Sequence, residues 1–149
     1  MKSMSFARIA SAATGALLGA AVLCGAAEAG TGNWYGTANG PTLYQTNYWY
    51  NSGNASPSGS VPATAKVTSL SWVVNLSYYP ATVNTQIIGA TSGTGWNVGS
   101  TISGSTTVSP TVPANQSFYF QIKIAQGTTH TLSPTVVGGG HQLNINYQY

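Results

Sequence analysis

Charged side chains are almost absent from this 149-residue sequence. After residue 29 it contains no Asp, Glu or Arg, and Lys66 and Lys123 are the only charged side chains. In an ordinary soluble domain about a quarter of the residues are charged. Polar surface must therefore come from Ser, Thr, Asn, Gln, Gly and Tyr, which hydrate without titrating. We expect the stability of the fold to depend little on pH.

The missing carboxylates exclude most hydrolytic chemistry. Two-carboxylate glycosidases and aspartic proteases need Asp or Glu at their centres, and Ca²⁺ and Mg²⁺ sites take most of their ligands from the same side chains. No cysteine follows residue 29, which excludes thiol catalysis and disulfide bonds from the mature chain. We therefore predict a non-enzymatic protein with no catalytic residue, no cofactor and no metal site.

His130 and His141 are the only imidazoles in the sequence. No carboxylate is available to orient either ring as in a catalytic triad, and two histidines fall short of the four ligands of a closed zinc site. His141 follows three glycines and shares its alternation with Leu143 and Ile145. We expect it to cap the edge of the core with its imidazole hydrogen-bonded.

Nucleic acid is excluded as a partner on similar grounds. Phosphate backbones are bound mainly by Lys and Arg, and only two lysines remain after residue 29. The isoelectric point of about 9.1 reflects a scarcity of titrating groups rather than a basic patch.

The N-terminus has the layout of a secretory signal. Lys2 and Arg8 precede an Ala-, Gly- and Leu-rich run, and small residues favour cleavage after Ala29. No stop-transfer pattern follows, so we predict a signal peptide over residues 1–29 and no stable membrane span. A retained membrane helix and lipidation at Cys24 are alternatives. The segment is bacterial in style, and we expect the mature protein to be secreted, either extracellular or on the cell surface.

The mature chain shows strand periodicity and no helical period. Side chains alternate with a period of two over three segments, at residues 70–78, 118–124 and 143–149. Weaker strands are predicted at residues 83–90, 96–102, 105–112 and 130–137. Short strands bounded by turn residues favour an all-β fold, an antiparallel two-sheet β-sandwich of jelly-roll or immunoglobulin-like type. We expect the C-terminal strand to close the sheet and Trp72 to fill the core.

Residues 30–60 differ in composition from the rest of the mature chain. They are rich in Gly, Asn, Ser and aromatic rings and poor in aliphatic side chains. We predict an N-terminal arm with one short strand over this range, followed by the β-sandwich over residues 61–149.

Aromatic side chains are the strongest candidates for a binding site. Rings stack on the apolar faces of sugars, while Asn, Gln and Thr bind sugar hydroxyls, so a neutral saccharide site needs no charge. The aromatic residues of the arm are too many to be buried together, and one more ring lies in the predicted loop at residues 92–97. The predicted ligand-binding residues are Trp34, Tyr35, Tyr48, Trp49, Tyr50 and Trp96. The alternative is that these rings form a satellite packing cluster.

Three functions are compatible with this composition. The first is an extracellular or cell-surface binding protein that contacts neutral glycan or a surface through exposed aromatics. The second is a self-assembling subunit of a surface or matrix fibre, a homo-oligomer formed by the polar face of the C-terminal strand or by the arm acting as a donor strand. The third is a membrane-active toxin, which needs an amphipathic hairpin that leaves its sheet.

Overall fold

Every regular element in the described part of the chain is a β-strand. The computed structural model describes residues 29–149, so the predicted signal peptide, apart from Ala29, and Cys24 lie outside the described residues. The strands are β1 (Thr31–Asn39), β2 (Thr42–Gln45), β3 (Tyr50–Ala55), β4 (Lys66–Val73), β5 (Val83–Gly89), β6 (Gly95–Gly99), β7 (Ser103–Thr107), β8 (Phe118–Ile124), β9 (Thr131–Val137) and β10 (Gly140–Gln148). Residues 29–149 contain no helix long and apolar enough to cross a membrane.

The strands form two four-stranded sheets and one small sheet, all antiparallel. The front sheet has the order β1-β10-β4-β7, and the back sheet has the order β3-β8-β5-β6. A two-stranded sheet pairs β2 with β9. One hydrophobic core is built from inward-facing side chains of both large sheets. The predicted all-β antiparallel sandwich is confirmed.

The sequence segments with the strongest alternation of side chains correspond to inner strands of the two large sheets. The predicted strand at 118–124 is β8, in which every second residue from Phe118 to Ile124 is buried. Trp72 fills the core as predicted, with 7% of its surface exposed. Three of the four weaker predictions correspond to β5, β6 and β9 within three residues at each end, and the fourth, at residues 105–112, overlaps β7 only at residues 105–107. Alternation is a reliable signal here because one face of each strand meets the opposite sheet.

The prediction that the C-terminal strand closes the sheet is wrong. β10 lies inside the front sheet, hydrogen-bonded to β1 on one side and to β4 on the other. A period of two shows which side chains face the core, but it carries no information about how many neighbours a strand has. The backbone of β10 is therefore already paired on both sides, and its polar side chains belong to the outer face of the front sheet.

The interpretation of residues 30–60 as an arm with one short strand is also wrong, because this segment contributes β1, β2 and β3. In β1 the buried residues are Trp34, Gly36 and Ala38, of which two are small. β1 packs beside β3 across the two sheets. A β-carbon on Gly36 would lie 3.0 Å from the carbonyl oxygen of Ser56 and 3.2 Å from the β-carbon of Ala55. This close approach requires small inward-facing residues. Because Gly36 and Ala38 are small, β1 lacks the alternation of large apolar side chains that indicates a strand.

The strand predicted over residues 70–78 begins earlier and ends earlier than expected. β4 runs from Lys66 to Val73, and the chain then turns. The hydroxyl of Tyr79 accepts a hydrogen bond from the backbone N–H of Leu76 at 3.2 Å and donates one to the carbonyl of Val74 at 2.8 Å. Local side-chain bonding of this kind replaces ladder bonds and ends the strand.

Candidate functional site

The structure separates the six predicted binding residues instead of bringing them together. They occupy five places: the core, the outer face of the front sheet, the outer face of the back sheet, the turn that leads from β2 into β3, and the side of the sandwich at β6. No single aromatic platform is formed by the set. Each place has to be considered by its own contacts.

Trp34 lies in the core and is not available to a ligand. Only 4% of its surface is exposed, and its indole N–H donates a 3.0 Å hydrogen bond to the carbonyl of Ala114. Its ring packs against Phe118 with 5.9 Å between centroids. Its prediction as a binding residue is therefore wrong, because β1 turns this side chain inward between the sheets.

Tyr48 and Tyr50 shape the turn between β2 and β3. The rings meet edge to face with 5.0 Å between centroids. The hydroxyl of Tyr50 accepts hydrogen bonds from the backbone N–H groups of Tyr44, at 3.2 Å, and Gln45, at 3.0 Å. Tyr48 is 60% exposed and forms the outer side of the pair. Tyr50 also packs against the main hydrophobic core, so the pair is joined to the core and does not form a separate cluster.

Trp49 and Tyr35 lie on the outer faces of different sheets. The ammonium group of Lys123, on β8 of the back sheet, lies 4.6 Å from the ring centroid of Trp49 in a cation–π contact. Tyr35 projects from β1 of the front sheet and is 50% exposed. The two rings cannot act on one small ligand.

Trp96 lies on the side of the sandwich where the two sheets are not closed. It belongs to β6, which agrees with the predicted strand at residues 96–102 and not with the predicted loop at residues 92–97. Its half-buried ring stacks on Phe118 at 6.0 Å between centroids and 28° between ring planes. Trp96 therefore has a fixed orientation while part of its surface remains accessible.

An open cleft of about 600 Å³ lies between β6 and β7, beside Trp96. Its other lining residues are Trp72, Gly95, Asn97, Val98, Thr101, Gly104, Ser105, Thr106, Thr107 and Val108. They come from two edge strands, their connection, and one inner strand of the front sheet. Two indoles are thus combined with hydroxyl and amide groups in one concave surface.

Glycine and a hydrogen bond position Trp72 beneath β7. Gly104 is the register partner of Trp72, and a β-carbon there would lie 2.9 Å from Cζ2 of the indole. The indole N–H donates a 3.1 Å hydrogen bond to the carbonyl of Thr101. The ring is therefore held close against the edge strand, and its N–H already has a hydrogen-bond partner. Sequence reasoning assigned Trp72 to the core and did not associate it with this cleft, since Trp72 and Trp96 come from different sheets.

The lining of the cleft includes no ionisable acid, base or lysine among the described residues. Ser and Thr hydroxyls and the Asn97 amide donate and accept hydrogen bonds without carrying charge. Such a surface suits a neutral ligand that combines hydroxyl groups with apolar faces.

The two histidines lie away from the cleft. His130 is exposed, and its Nδ1 lies 3.5 Å from the hydroxyl of Thr46, which is itself buried and donates to the carbonyl of Thr128. His141 is fully buried and packs on Phe120 with 5.1 Å between ring centroids. Within residues 29–149 no group of three or more His, Cys, Asp or Glu side chains could hold a metal ion.

Only one of the two ring nitrogens of His141 has a hydrogen-bond partner among the described residues. The backbone N–H of Asn75 donates to its Nδ1 at 3.1 Å, so the neutral ring carries its proton on Nε2. Nε2 has no hydrogen-bond partner among residues 29–149. Burial lowers the pKa of His141 from 6.5 to about 4. The expectation of a fully hydrogen-bonded imidazole is wrong, and pH-independent folding is not expected of a chain with this group in its core.

Comparison with known proteins supports the fold alone. Neither a protein-family profile nor a curated protein matches the sequence. The crystal structure of FLHE is similar to this chain, with a TM-score of 0.69 and 22% identity over 80% of this chain and 99% of that chain. A chain of the cyanophage Pam1 capsid asymmetric unit gives a TM-score of 0.45 and 17% identity over 99% of each chain, a likeness too slight to support an argument.

Proposed function

We propose that the mature chain is a secreted, non-enzymatic binding protein that binds neutral glycan, free or on a cell surface, in the cleft between β6 and β7. The observation that carries this proposal is the position of Trp96, which is stacked on Phe118 and lines the cleft opposite hydroxyl-bearing side chains. The signal-like N-terminus supports secretion.

The cleft has the size and chemistry that a saccharide needs. Ligand pockets commonly have volumes of about 300–1,000 Å³ and combine apolar walls with a few polar groups. An indole provides a flat apolar surface for one face of a sugar ring. Thr101, Ser105 and Thr106 offer hydroxyl groups at the same cleft. An uncharged lining also favours a neutral ligand over an anionic one, since no cation is present to compensate a buried negative charge.

Several features support a binding role over catalysis. The cleft is lined by no group that titrates near neutral pH. His141 is buried in the core, and His130 is in contact with Thr46, which lies under the surface. No carboxylate is present after residue 29 to act with a nucleophile.

The test is binding of the mature chain, residues 30–149, to an array of neutral glycans, followed by titration of any ligand found. Trp96→Ala should weaken binding by at least about tenfold, because Trp residues at the centre of a site carry much of the binding energy. Trp49→Ala is the matched control, since this indole is half-exposed on the back sheet and lies outside the cleft. It should bind like the wild type.

Because Trp96 also packs on Phe118, a second variant keeps the test informative if Trp96→Ala is poorly folded. Thr101→Arg places a long charged side chain at an exposed position that lines the cleft, and it leaves the core unchanged. It should fold normally and lose binding. The proposal is overturned if no neutral glycan is bound by the wild type, or if Thr101→Arg binds as tightly as the wild type.

Self-assembly is a second candidate, supported by the unprotected edge of β7. This strand, Ser103–Thr107, contains no charged residue or proline, the usual protections of an edge against pairing with another chain. The two routes predicted from sequence are contradicted, since β10 is paired on both sides and residues 31–55 are integrated into the chain's own sheets. Assembly predicts species that grow with concentration in light scattering, and Ser103→Lys should prevent that growth. A concentration-independent monomer would reject it.

A further inference from the structure

The outer face of the front sheet carries a straight row of uncharged side chains. In the front sheet, Tyr35 on β1 lies opposite Asn144 on β10. Asn144 lies opposite Ser71 on β4, and Ser71 lies opposite Ser105 on β7. All four side chains point away from the core, because their neighbours along each strand are the inward-facing residues. Three strand spacings give this front row a length of about 14 Å.

The front row connects the cleft to two shallower cavities. Ser105 lines both the cleft and a cavity of about 390 Å³ that lies over β4 and β7. Ser71 lines that cavity and also a third one, of about 180 Å³, which is bordered by Tyr35 and Asn144. Each cavity therefore shares a row residue with the next. We refer to these three adjoining cavities, which extend from Trp96 across four strands to Tyr35, as the path.

Two polar groups along this path have unused hydrogen-bonding capacity. The side-chain oxygen Oδ1 of Asn144 is buried and has no hydrogen-bond partner among residues 29–149. An unpartnered acceptor is costly, and rotation of this half-buried side chain toward the surface would let a ligand hydroxyl satisfy it. Tyr35, at the far end, is half-exposed, and its hydroxyl has one long contact, 3.4 Å from the hydroxyl of Thr37. No charged side chain lines any of the three cavities in the described chain.

We propose that the ligand of the cleft is a linear neutral polysaccharide, whose chain continues from Trp96 along the front row and stacks a further sugar ring on Tyr35. This inference rests on the proposed function, since it extends the same site. Two aromatic platforms joined by hydroxyl and amide groups match a polymer that repeats an apolar ring face and hydroxyl groups at intervals.

The direction of the path distinguishes a polysaccharide from an added protein strand. A strand that pairs with β7 must run along β7, in line with its backbone N–H and C=O groups. The path instead crosses β7, β4, β10 and β1 at right angles to them, and its cavities lie on side chains of the sheet face. A ligand that uses the whole path is recognised by side chains, as sugars are.

The experiment compares oligosaccharides of one series, from the monosaccharide to the hexasaccharide, chosen from the polymer that binds best on the neutral glycan array. Calorimetric affinity for the wild type should rise with length by about tenfold or more, the gain of one further aromatic contact and its neighbouring hydrogen bonds. Tyr35→Ala should remove this gain while leaving the affinity for the disaccharide unchanged. Tyr44→Ala is the control, since Tyr44 is similarly exposed, at 56%, and lies off the front row.

Ser71→Gln provides an independent interruption, because it adds bulk without charge where the second and third cavities meet. It should reduce the hexasaccharide affinity to that of the disaccharide. An affinity independent of length, or full retention of the length gain in Tyr35→Ala and Ser71→Gln, overturns this inference. If Trp96→Ala still weakens binding by at least about tenfold in that case, the proposed function stands. If Trp96→Ala has no effect, the proposed function fails first.

Discussion

The two long sides of the sandwich are built differently, although both use an indole that packs on Phe118. On the side formed by β1 and β3, Trp34 is buried, and Gly36 and Ala55 let the sheets approach closely. On the side formed by β6 and β7, Trp96 is half-buried and the sheets leave a cleft of about 600 Å³. We refer to these as the closed side and the open side.

The difference shows how an almost uncharged chain divides its aromatic residues between stability and binding. On the closed side, small residues bring the sheets close together, and the indole N–H of Trp34 is hydrogen-bonded to the carbonyl of Ala114. On the open side, Trp72 and Trp96 line a space that no side chain fills among the described residues. The same residue type therefore acts as core packing on one side and as an accessible surface on the other.

The largest effect expected from this comparison is the loss of Trp34. Trp34→Ala should lower the free energy of unfolding by about 3–5 kcal/mol, because it leaves a large cavity in the closed side. Trp96→Ala should lower it by at most about half as much, since part of that ring is already in contact with water. Urea denaturation followed by circular dichroism measures both. If Trp96→Ala lowers the free energy of unfolding as much as Trp34→Ala or more, the two sides do not differ in how much their indoles contribute to stability.

Acid should weaken the closed side through His141, which lies on β10 opposite Ala38 of β1. Its pKa is 6.5 when solvated and about 4 when buried, so the unfolded chain binds the proton more readily. The contribution of neutral His141 to the free energy of unfolding is therefore fully present above pH 6.5 and is lost as the pH falls toward 4. The loss should reach about 3 kcal/mol and then level off.

Denaturation curves between pH 7 and pH 4 check this expectation, and no carboxyl side chain in the mature chain obscures the measurement. His141→Gln should remove most of the pH dependence. His130→Gln is the control, since this ring is exposed and outside the core, and it should retain the dependence. A profile that is the same in His141→Gln and wild type would contradict the assignment to His141.

Sequence alone predicted the sandwich because its inner strands alternate completely. Phe118, Phe120, Ile122 and Ile124 face one way, and such a pattern has one physical explanation, a strand with one buried face. β1 was missed because its inward positions after Trp34 are Gly36 and Ala38. Their small size is imposed by the approach of β3, a contact between distant segments that no local pattern records.

The cleft could be predicted only in part. Trp96 was identified because a large ring lies among turn residues, but its partner Trp72 was assigned to the core by its alternation. The cleft arises because β6 ends one sheet, β7 ends the other, and the chain passes between them. Edge and central strands have the same period, so strand order has to come from the structure. The front row depends on register across four strands and could not be predicted for the same reason.

The smallest of these effects concerns the packing of the closed side at Gly36. Gly36→Val should lower the free energy of unfolding by about 1–3 kcal/mol, because the added atoms meet the Ser56 carbonyl and Ala55 and force β1 away from β3. Gly53→Val is the matched control on β3, where the nearest atom to an added β-carbon is the backbone nitrogen of Asn39 at 3.5 Å, an ordinary contact. Valine favours strands, so the control should stay within about 0.5 kcal/mol of wild type. Thermal and urea unfolding measure both variants. If the two are equally stable, the closed side accommodates the added atoms at Gly36. Close approach of the sheets is then not what distinguishes the closed side from the open side.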